Sequence, residues 1–271
     1  LAAAAFGAAG PVVDGAVRTT NLPWLLEAVA LERRLGCPVR LLNDLEATAW
    51  ATLALAPEDC VTLNPGREGE GNRVVLAAGT GLGQALLVRA GDGYQVVATE
   101  GGHADFAPRN ATEIALLEFL LGRFARVSWE RILSGPGLGN VFDFVVARLG
   151  IAPDPEVAAL RRGGDAGAVI GAAAVAGTCP ASVRAAELFV ELYGAQAGNL
   201  ALTAMATGGV FVAGGIAPKL LPLLQAGRFV DAFVAKPPFT ELLQRIPVRV
   251  LTDANAPRTG AARVAASLAS A

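Results

Sequence analysis

A glycine-rich loop between two apolar segments constrains the fold of this chain more than any other feature. Gly79–Gly83 separates the segments Val74–Ala78 and Gln84–Val88. A dinucleotide-binding loop of the Rossmann type needs a helix directly after its glycines, because the helix N-terminus holds the pyrophosphate. The residues after Gly83 have the composition of a strand, so the sequence predicts a β-hairpin. Its backbone amides could surround a phosphate, although an ordinary glycine-rich turn explains the same residues.

Length and composition favour a globular protein with two lobes. A chain of 271 residues exceeds what one core usually fills, and clefts between lobes commonly bind ligands. Hydrophobic residues make up 53% of the chain, which is enough to build a core. The formal net charge is −2, and no stripe of Lys and Arg alternates with aromatic residues. This charge pattern argues against nucleic-acid binding.

Cysteine usage and hydropathy favour a cytoplasmic protein. Cys37, Cys60 and Cys179 are few and widely spaced, which indicates neither a disulfide framework nor a zinc cluster. The apolar start Leu1–Phe6 lacks the basic leader of a signal peptide and is predicted to belong to a sheet. The other apolar runs are too short to span a bilayer, so no membrane partner is expected.

Polar residues follow the first predicted buried strand. Asp14-Gly15 has the signature of a two-residue hairpin turn, and Asn21 with Pro23 predicts the start of a helix that ends near Leu35. The strand Val39–Leu42 then precedes Asn43-Asp44 and a helix over 45–55. Ligands of open α/β sheets bind at such strand ends. A helix cap explains the Asn-Asp pair equally well, and one pair can serve both purposes.

A second polar group follows the strand Tyr94–Ala98, which completes an antiparallel meander after the glycine loop. Glu100, Gly102 and His103, the only histidine, lie within four residues. Glycines let the backbone approach a small ligand while the two side chains reach its hydroxyl groups. A single histidine is more often structural, but this grouping favours a binding site.

The remainder of the chain is predicted to be mainly helical. Gly208–Pro218 predicts a buried strand, a Gly-Gly turn at Gly214-Gly215 and a helix with Pro218 in its first turn. Such a turn before a helix suits the binding of a base or a phosphate, but an ordinary βα turn explains the same residues. Ile246–Leu251 predicts the last strand. The expected helices cover 111–124, 127–133 with Ser128 as cap, 138–149 after the turn Ser134–Gly137, 180–205 and 258–269, while those within 151–178 are placed only loosely.

Five motifs, taken in order along the chain, resemble those of bacterial glucokinases. They are Leu42–Asp44, Ala78–Gly83, Glu100–Pro108, Ser128–Gly137 and Gly209–Ile216. The resemblance spans nearly the whole chain and implies an α/β fold, the two-lobed actin-like ATPase (ribonuclease H-like) fold of sugar kinases. It implies a small lobe of residues 1–54 and 257–271 and a large lobe of 55–256. The clustered cysteine motif of the zinc-containing repressor relatives is absent.

The resemblance also implies roles for the polar residues. Asp44 would be the general base that takes the proton of the sugar 6-hydroxyl as it attacks the γ-phosphate of MgATP, so that D-glucose becomes glucose 6-phosphate in glycolysis. The other sugar hydroxyls would bind Asn43, Glu100, Gly102, His103 and Glu130. ATP would lie against Gly79, Thr80, Gly81 and Gly83, against Gly214 and Gly215 near the adenosine, and against Ser134 and Gly135 in the cleft.

One motif of the family has no counterpart here. Family members begin with an Asp-x-Gly-Gly-Thr-type phosphate loop on their first hairpin, and the resemblance implies that this loop would lie ahead of Leu1. The loop contributes charge stabilisation at the phosphoryl group, which can be worth on the order of 100-fold in rate. The polypeptide as given is therefore expected to bind sugar weakly and to turn over poorly.

Two other functions remain open from the sequence. One is a sugar-binding regulator that has kept the hexose pocket without the kinase activity, although no basic segment or DNA-binding helix pair is evident. The other is a kinase for fructose or mannose. Oligomeric state also stays open, with a homodimer as one assembly compatible with the sequence.

Overall fold

The structure, a computed structural model, describes residues 1–19 and 23–270. Its N-terminal part contains two small sheets. Strand β1 (Ala4–Ala8) pairs in parallel with β5 (Val39–Asn43), and β2 (Val12–Val13), β3 (Ala16–Arg18) and β4 (Leu25–Glu27) form an antiparallel sheet. Helices α1 (Ala28–Leu35) and α2 (Asp44–Ala51) follow β4 and β5. The predicted hairpin at Asp14-Gly15 is confirmed.

The central sheet has six strands. They are β6 (Cys60–Asn64), β7 (Arg73–Ala78), β8 (Leu82–Ala90), β9 (Gly93–Thr99), β10 (Gly209–Ala213) and β11 (Val248–Leu251), in the spatial order β6-β11-β10-β7-β8-β9. Strand β10 runs parallel to both neighbours, whereas β7-β8-β9 is an antiparallel meander. The glycine loop is therefore the turn of a hairpin, as predicted.

Nine further α-helices lie in the described part of the chain after β9. They are α3 (Ala111–Leu121), α4 (Gly135–Arg148), α5 (Pro155–Gly163), α6 (Ala166–Ala176), α7 (Pro180–Ala204), α8 (Leu221–Leu224), α9 (Arg228–Val234), α10 (Thr240–Gln244) and α11 (Ala256–Ala269). Helix α7 lies in the main core, where Phe189 and Tyr193 are fully buried. Helix α11 returns to the N-terminal part and packs on α2 and β1.

Three local predictions are wrong. The helix expected from Asn21 begins only at Ala28, because Leu25–Glu27 pairs with β3 as a strand; Asn21 itself lies outside the described residues. The helix expected over 127–133 is a single 3-10 turn, Trp129–Arg131, and the Ser128 side chain makes no capping bond. After Gly215 the chain makes further turns before a helix of four residues, so Pro218 precedes that helix.

No single helix within residues 1–19 and 23–270 is both long and apolar enough to cross a membrane. Helices α6 and α7 meet the length and composition requirements only when taken together, and they are bent by 102° relative to each other.

Candidate functional site

Asn43 and Asp44 lie where strand β5 passes directly into helix α2. Asn43 caps the helix, because its Oδ1 accepts hydrogen bonds from the N–H groups of Leu45 at 2.8 Å and Glu46 at 3.4 Å. Its Nδ2 donates to the Gly10 carbonyl at 3.1 Å. Asp44 is exposed, and only its Oδ1 is used, accepting from Leu45 N–H at 2.8 Å. Asn43 thus supplies the cap while Asp44 retains an oxygen for a ligand.

Glu100, His103 and Glu130 lie close to one another beside the glycine hairpin. His103 Nδ1 is 3.8 Å from Glu130 Oε1, and His103 Nε2 is 3.9 Å from Glu100 Oε2. These separations are longer than hydrogen bonds. The side chain of His103 is 54% exposed and that of Glu100 is 69% exposed, so both are in contact with water. The three side chains therefore keep donors and acceptors that a polyol can use.

The hairpin between β7 and β8 fixes the position of Glu130. Glu130 Oε2 accepts a hydrogen bond from Leu82 N–H at 3.0 Å, and a Cβ at Gly81 would lie 2.5 Å from the same oxygen. The 3-10 turn Gly101–His103 also packs on this strand, since a Cβ at buried Gly102 would overlap the Leu82 carbonyl. Glycine at these positions lets the turns that carry His103 and Glu130 approach the start of β8.

Asp44 is linked to the same hairpin through its neighbour Leu45. The side chain of its neighbour Leu45 packs against Gly83, and Leu82, which precedes Gly83, holds Glu130. Asp44 and the Glu100–His103–Glu130 group are therefore connected through consecutive residues of one strand. Within the described residues no side-chain hydrogen bond joins Asp44 to that group directly.

Two glycine loops meet at the end of β7. Gly214 has a φ of +85°, and a Cβ there would overlap the Ala78 carbonyl oxygen, which accepts a hydrogen bond from Ile216 N–H at 3.2 Å. A Cβ at Gly215 would meet nothing within 4 Å. The backbone of the loop after β10 is thus fixed against β7, while Gly215 faces open space.

The hairpin loop is also tied to helix α4. Gly79 N–H donates to the Gly81 carbonyl at 2.9 Å, and the Gly79 carbonyl accepts from Gly135 N–H at 2.8 Å. Buried Ser134 caps α4, because its Oγ accepts from Gly137 N–H at 3.0 Å and donates to the Glu130 carbonyl at 2.7 Å. Thr80 at the tip of the loop is exposed. Ser134 therefore joins the loop side of the site to the Glu130 side.

The chain is similar to known glucokinases over nearly its whole length. A family model described as Glucokinase matches residues 1–268. A glucokinase of Nostoc sp. is 41% identical in an alignment that covers 98% of this chain and 82% of the relative. The chain belongs to the glucokinase family.

Solved structures of glucokinases have the same fold. The glucokinase of an Antarctic psychrotroph superposes with a TM-score of 0.86 at 31% identity, covering 97% of this chain and 80% of the other. The glucokinase of Balamuthia mandrillaris, solved in complex with glucose, superposes with a TM-score of 0.80 at 26% identity, covering 97% and 78%. The predicted α/β sugar kinase fold is confirmed.

Two buried polar side chains beside these loops were not indicated by the motifs. Gln84 is 3% exposed, its side chain packs against Gly101, and its Nε2 has no hydrogen-bond partner within residues 1–19 and 23–270. Tyr193 of α7 accepts a hydrogen bond from Ala78 N–H at 3.1 Å and shares its proton between the carbonyls of Leu76 and Ala213. Gln84 is the only polar residue in the run Leu82–Val88, and this signal could have drawn attention to it.

A metal centre built from side chains is not evident in the glucokinase fold of this chain. Within residues 1–19 and 23–270, no three His, Cys, Asp or Glu residues are grouped so that they could hold a metal ion.

Proposed function

We propose that this member of the glucokinase family transfers the γ-phosphate of ATP to the 6-hydroxyl of D-glucose, with Asp44 as the general base. The observation that carries the proposal is the position of Asp44 at a strand end, beside the hairpin that holds Glu130. A relative solved with glucose, 26% identical over 97% of this chain, supports glucose as the sugar.

Asp44 would accept the proton of the 6-hydroxyl as its oxygen attacks phosphorus. Phosphoryl transfer depends mainly on positioning and on electrostatic stabilisation. The hydrogen bond from Leu45 N–H fixes one carboxylate oxygen of Asp44 and leaves the other for the sugar. This arrangement orients the base without occupying it.

Asn43, Glu100, His103 and Glu130 would bind the remaining hydroxyls, and Gly102 would let the backbone approach. A polyol needs both donors and acceptors, and this set offers two carboxylates, an imidazole and a carboxamide. Asn43 keeps one Nδ2 hydrogen beyond the one that it donates to the Gly10 carbonyl. Glu130 keeps Oε1 without a hydrogen bond, since only its Oε2 accepts from Leu82.

ATP would bind on the glycine side. Gly79, Thr80, Gly81 and Gly83 would face its phosphates, Ser134 and Gly135 would line the cleft, and Gly214 with Gly215 would lie beside the adenosine. Mg²⁺ fits as a companion of the nucleotide, because it usually takes phosphate and water ligands with few protein groups. When bound, it neutralises charge on the phosphates.

Closure of the two lobes would exclude water from the reaction. We assign residues 1–54 and 257–271 to one lobe and 55–256 to the other, which is supported by the packing of α11 on α2 and β1. A cytoplasmic role in glycolysis accords with this chemistry. A homodimer stays a prediction.

Calorimetry with glucose, mannose and fructose, followed by a coupled assay of ADP release, tests the proposal. Heat on titration with glucose, and glucose-dependent ADP release that Asp44→Asn abolishes, are the expected results. Absence of glucose binding, or full turnover in Asp44→Asn, would contradict it.

A further inference from the structure

A cavity of about 410 Å³ opens beside the sugar-side residues. His103 and Glu130 line one part of it, and Arg123, Arg126, Arg131 and Phe124 line another; Asp44 does not contribute. Its volume is within the range of small-molecule sites. Three arginines therefore line one cavity, although the chain as a whole has a formal net charge of −2.

Arg131 has no carboxylate partner in the described part of the chain. Its guanidinium stacks on the ring of Phe124, with 4.3 Å from Cζ to the ring centroid, and the residue is exposed. Stacking holds the planar group in place while its N–H donors remain open. An arginine held in this way can donate hydrogen bonds to an anion with little further loss of side-chain freedom.

Arg123 adds a second positive charge that is only partly compensated. Its Nη1 lies 2.8 Å from Asp143 Oδ2, and Arg161 lies 2.5 Å from the other oxygen of the same carboxylate. Two guanidinium groups therefore share one carboxylate. The ring of Phe119, 4.4 Å from Arg123 Cζ, holds this side chain as well.

We propose that this cavity binds a small phosphate ester, with the phosphate on Arg131 and Arg123 and the organic part in the remaining volume. Guanidinium groups match phosphate oxygens with paired, charge-assisted hydrogen bonds. An ester fills more of the cavity than free phosphate does, and the partly exposed ring of Phe124 offers it an apolar contact.

Arg126 connects this cavity to the sugar side. Its Nη1 donates to the His103 carbonyl at 2.6 Å and to Asp105 Oδ1 at 2.8 Å. A phosphate in the cavity competes for Arg126 and loosens the turn that carries His103. Occupancy therefore lowers the affinity for glucose, and glucose lowers the affinity for the ester by the same factor. This coupling, unlike the cavity itself, rests on the proposed function.

Titration calorimetry with ribose 5-phosphate and with orthophosphate tests the site. Arg131→Met and Arg123→Met should each weaken ribose 5-phosphate binding by about tenfold, the loss of a charge-assisted contact. Arg89→Met is the matched control, because Arg89 also stacks on a ring, that of Tyr94 at 5.4 Å, but lies outside the cavity. It should bind the ester as the unsubstituted protein does.

The outcomes separate the alternatives. Tighter binding of the ester than of orthophosphate supports the proposal, whereas equal binding assigns the site to free phosphate and overturns the ester. No binding of either probe below about 10 mM, or unchanged affinity in both arginine variants, overturns the site. If circular dichroism shows that Arg131→Met is unfolded, Arg123→Met decides.

A second titration, with glucose, tests the coupling. Ribose 5-phosphate, at a concentration that just saturates the unsubstituted protein, should lower its glucose affinity by about fivefold and should lower that of Arg131→Met by less. Unchanged glucose affinity in both proteins would overturn the coupling. Failure to bind glucose at all, with ester binding intact, would contradict the proposed function and not the cavity.

Discussion

The two sides of the candidate site are held by different kinds of contact. On the glycine side, the loops at Gly79 and Gly214 are fixed by backbone hydrogen bonds and by the buried hydroxyl of Tyr193. On the side of the proposed sugar ligands, His103 lies 3.8 and 3.9 Å from its two carboxylate neighbours, and all three side chains are at least partly exposed. The backbone of the glycine loops is held by hydrogen bonds within the protein. The side chains of His103, Glu100 and Glu130 still have donors and acceptors that a ligand can use.

This difference indicates where substitutions act. Backbone contacts among buried groups contribute to stability, because an unpaired buried polar group is costly. Exposed carboxylates at 3.8 Å contribute little to stability. Changes on the glycine side should therefore lower the free energy of unfolding, while changes around Asp44 and Glu130 should affect binding and turnover.

Asp44→Asn is expected to have the largest effect of all. It removes the proposed base while it keeps the shape of the side chain and its acceptor for Leu45 N–H. The kcat should fall by about 100-fold to 10,000-fold, and the glucose affinity should stay within about tenfold, since a base acts mainly in the transition state. Steady-state kinetics and calorimetry measure both values.

Glu46→Gln is the control for that substitution. Glu46 lies in the same first turn of α2, but its carboxylate pairs with Arg40 at 3.0 Å. Its kcat should remain close to that of the unsubstituted protein. An equal loss in both variants would mean that helix α2, and not the Asp44 carboxylate, is responsible.

Gly214→Ala should cause the largest loss of stability. The added Cβ meets the Ala78 carbonyl, and the φ of +85° disfavours any other residue, so unfolding should become easier by about 3 kcal/mol. Gly215→Ala offers the matched control, because its Cβ meets nothing within 4 Å. Chemical denaturation of the two variants should give clearly different midpoints; similar midpoints would refute the rigid contact.

Tyr193→Phe should cost about 2 kcal/mol, because Ala78 N–H loses its partner in a fully buried site. Tyr94→Phe removes a hydroxyl that bonds the Gly71 carbonyl at 3.1 Å near the surface, and it should cost less. Urea denaturation compares the two. A larger loss in Tyr94→Phe would contradict the role assigned to Tyr193.

Ser134→Ala should lower stability by about 1 kcal/mol through loss of the α4 cap. If Ser134 also contacts the nucleotide, KM for ATP will rise in the same variant. An Asn110→Ala variant, which removes the cap of α3 away from the glycine loops, provides the comparison. A change of KM for ATP in Asn110→Ala as well would make the ATP effect of Ser134 an indirect one.

The smallest expected effect is a pH dependence at Lys236. Burial lowers the pKa of this amine below its usual value of 10.5, and the charge of Arg109 adds to the shift. The unfolded chain therefore binds more protons in the window between the lowered pKa and 10.5, and stability rises with pH there. Lys236→Met should flatten the curve of unfolding free energy against pH, whereas Lys219→Met, at an exposed position, should not.

Local patterns predicted the elements that form through neighbouring residues. The hairpin at Gly79–Gly83, the strand before Asn43 and the long helix from Pro180 all follow from short-range composition, and each is confirmed. The grouping of His103 with Glu130 came only from family resemblance. The structure brings the two side chains together across 27 residues of chain.

The wrong predictions depend on contacts from elsewhere in the chain. Leu25–Glu27 becomes a strand because β3 offers an edge to pair with, which outweighs its helical spacing. The chain turns after Gly215 because Ile216 N–H bonds the carbonyl of Ala78. Arg126 could not be assigned from sequence for the same reason, since its partner His103 belongs to another element.

A crystal structure of the protein with glucose tests the central claim most directly. The account predicts the 6-hydroxyl within about 3.2 Å of an Asp44 carboxylate oxygen, with Glu100, His103 and Glu130 on the other hydroxyls. Glucose bound away from Asp44, or held without Glu130 and His103, would contradict it.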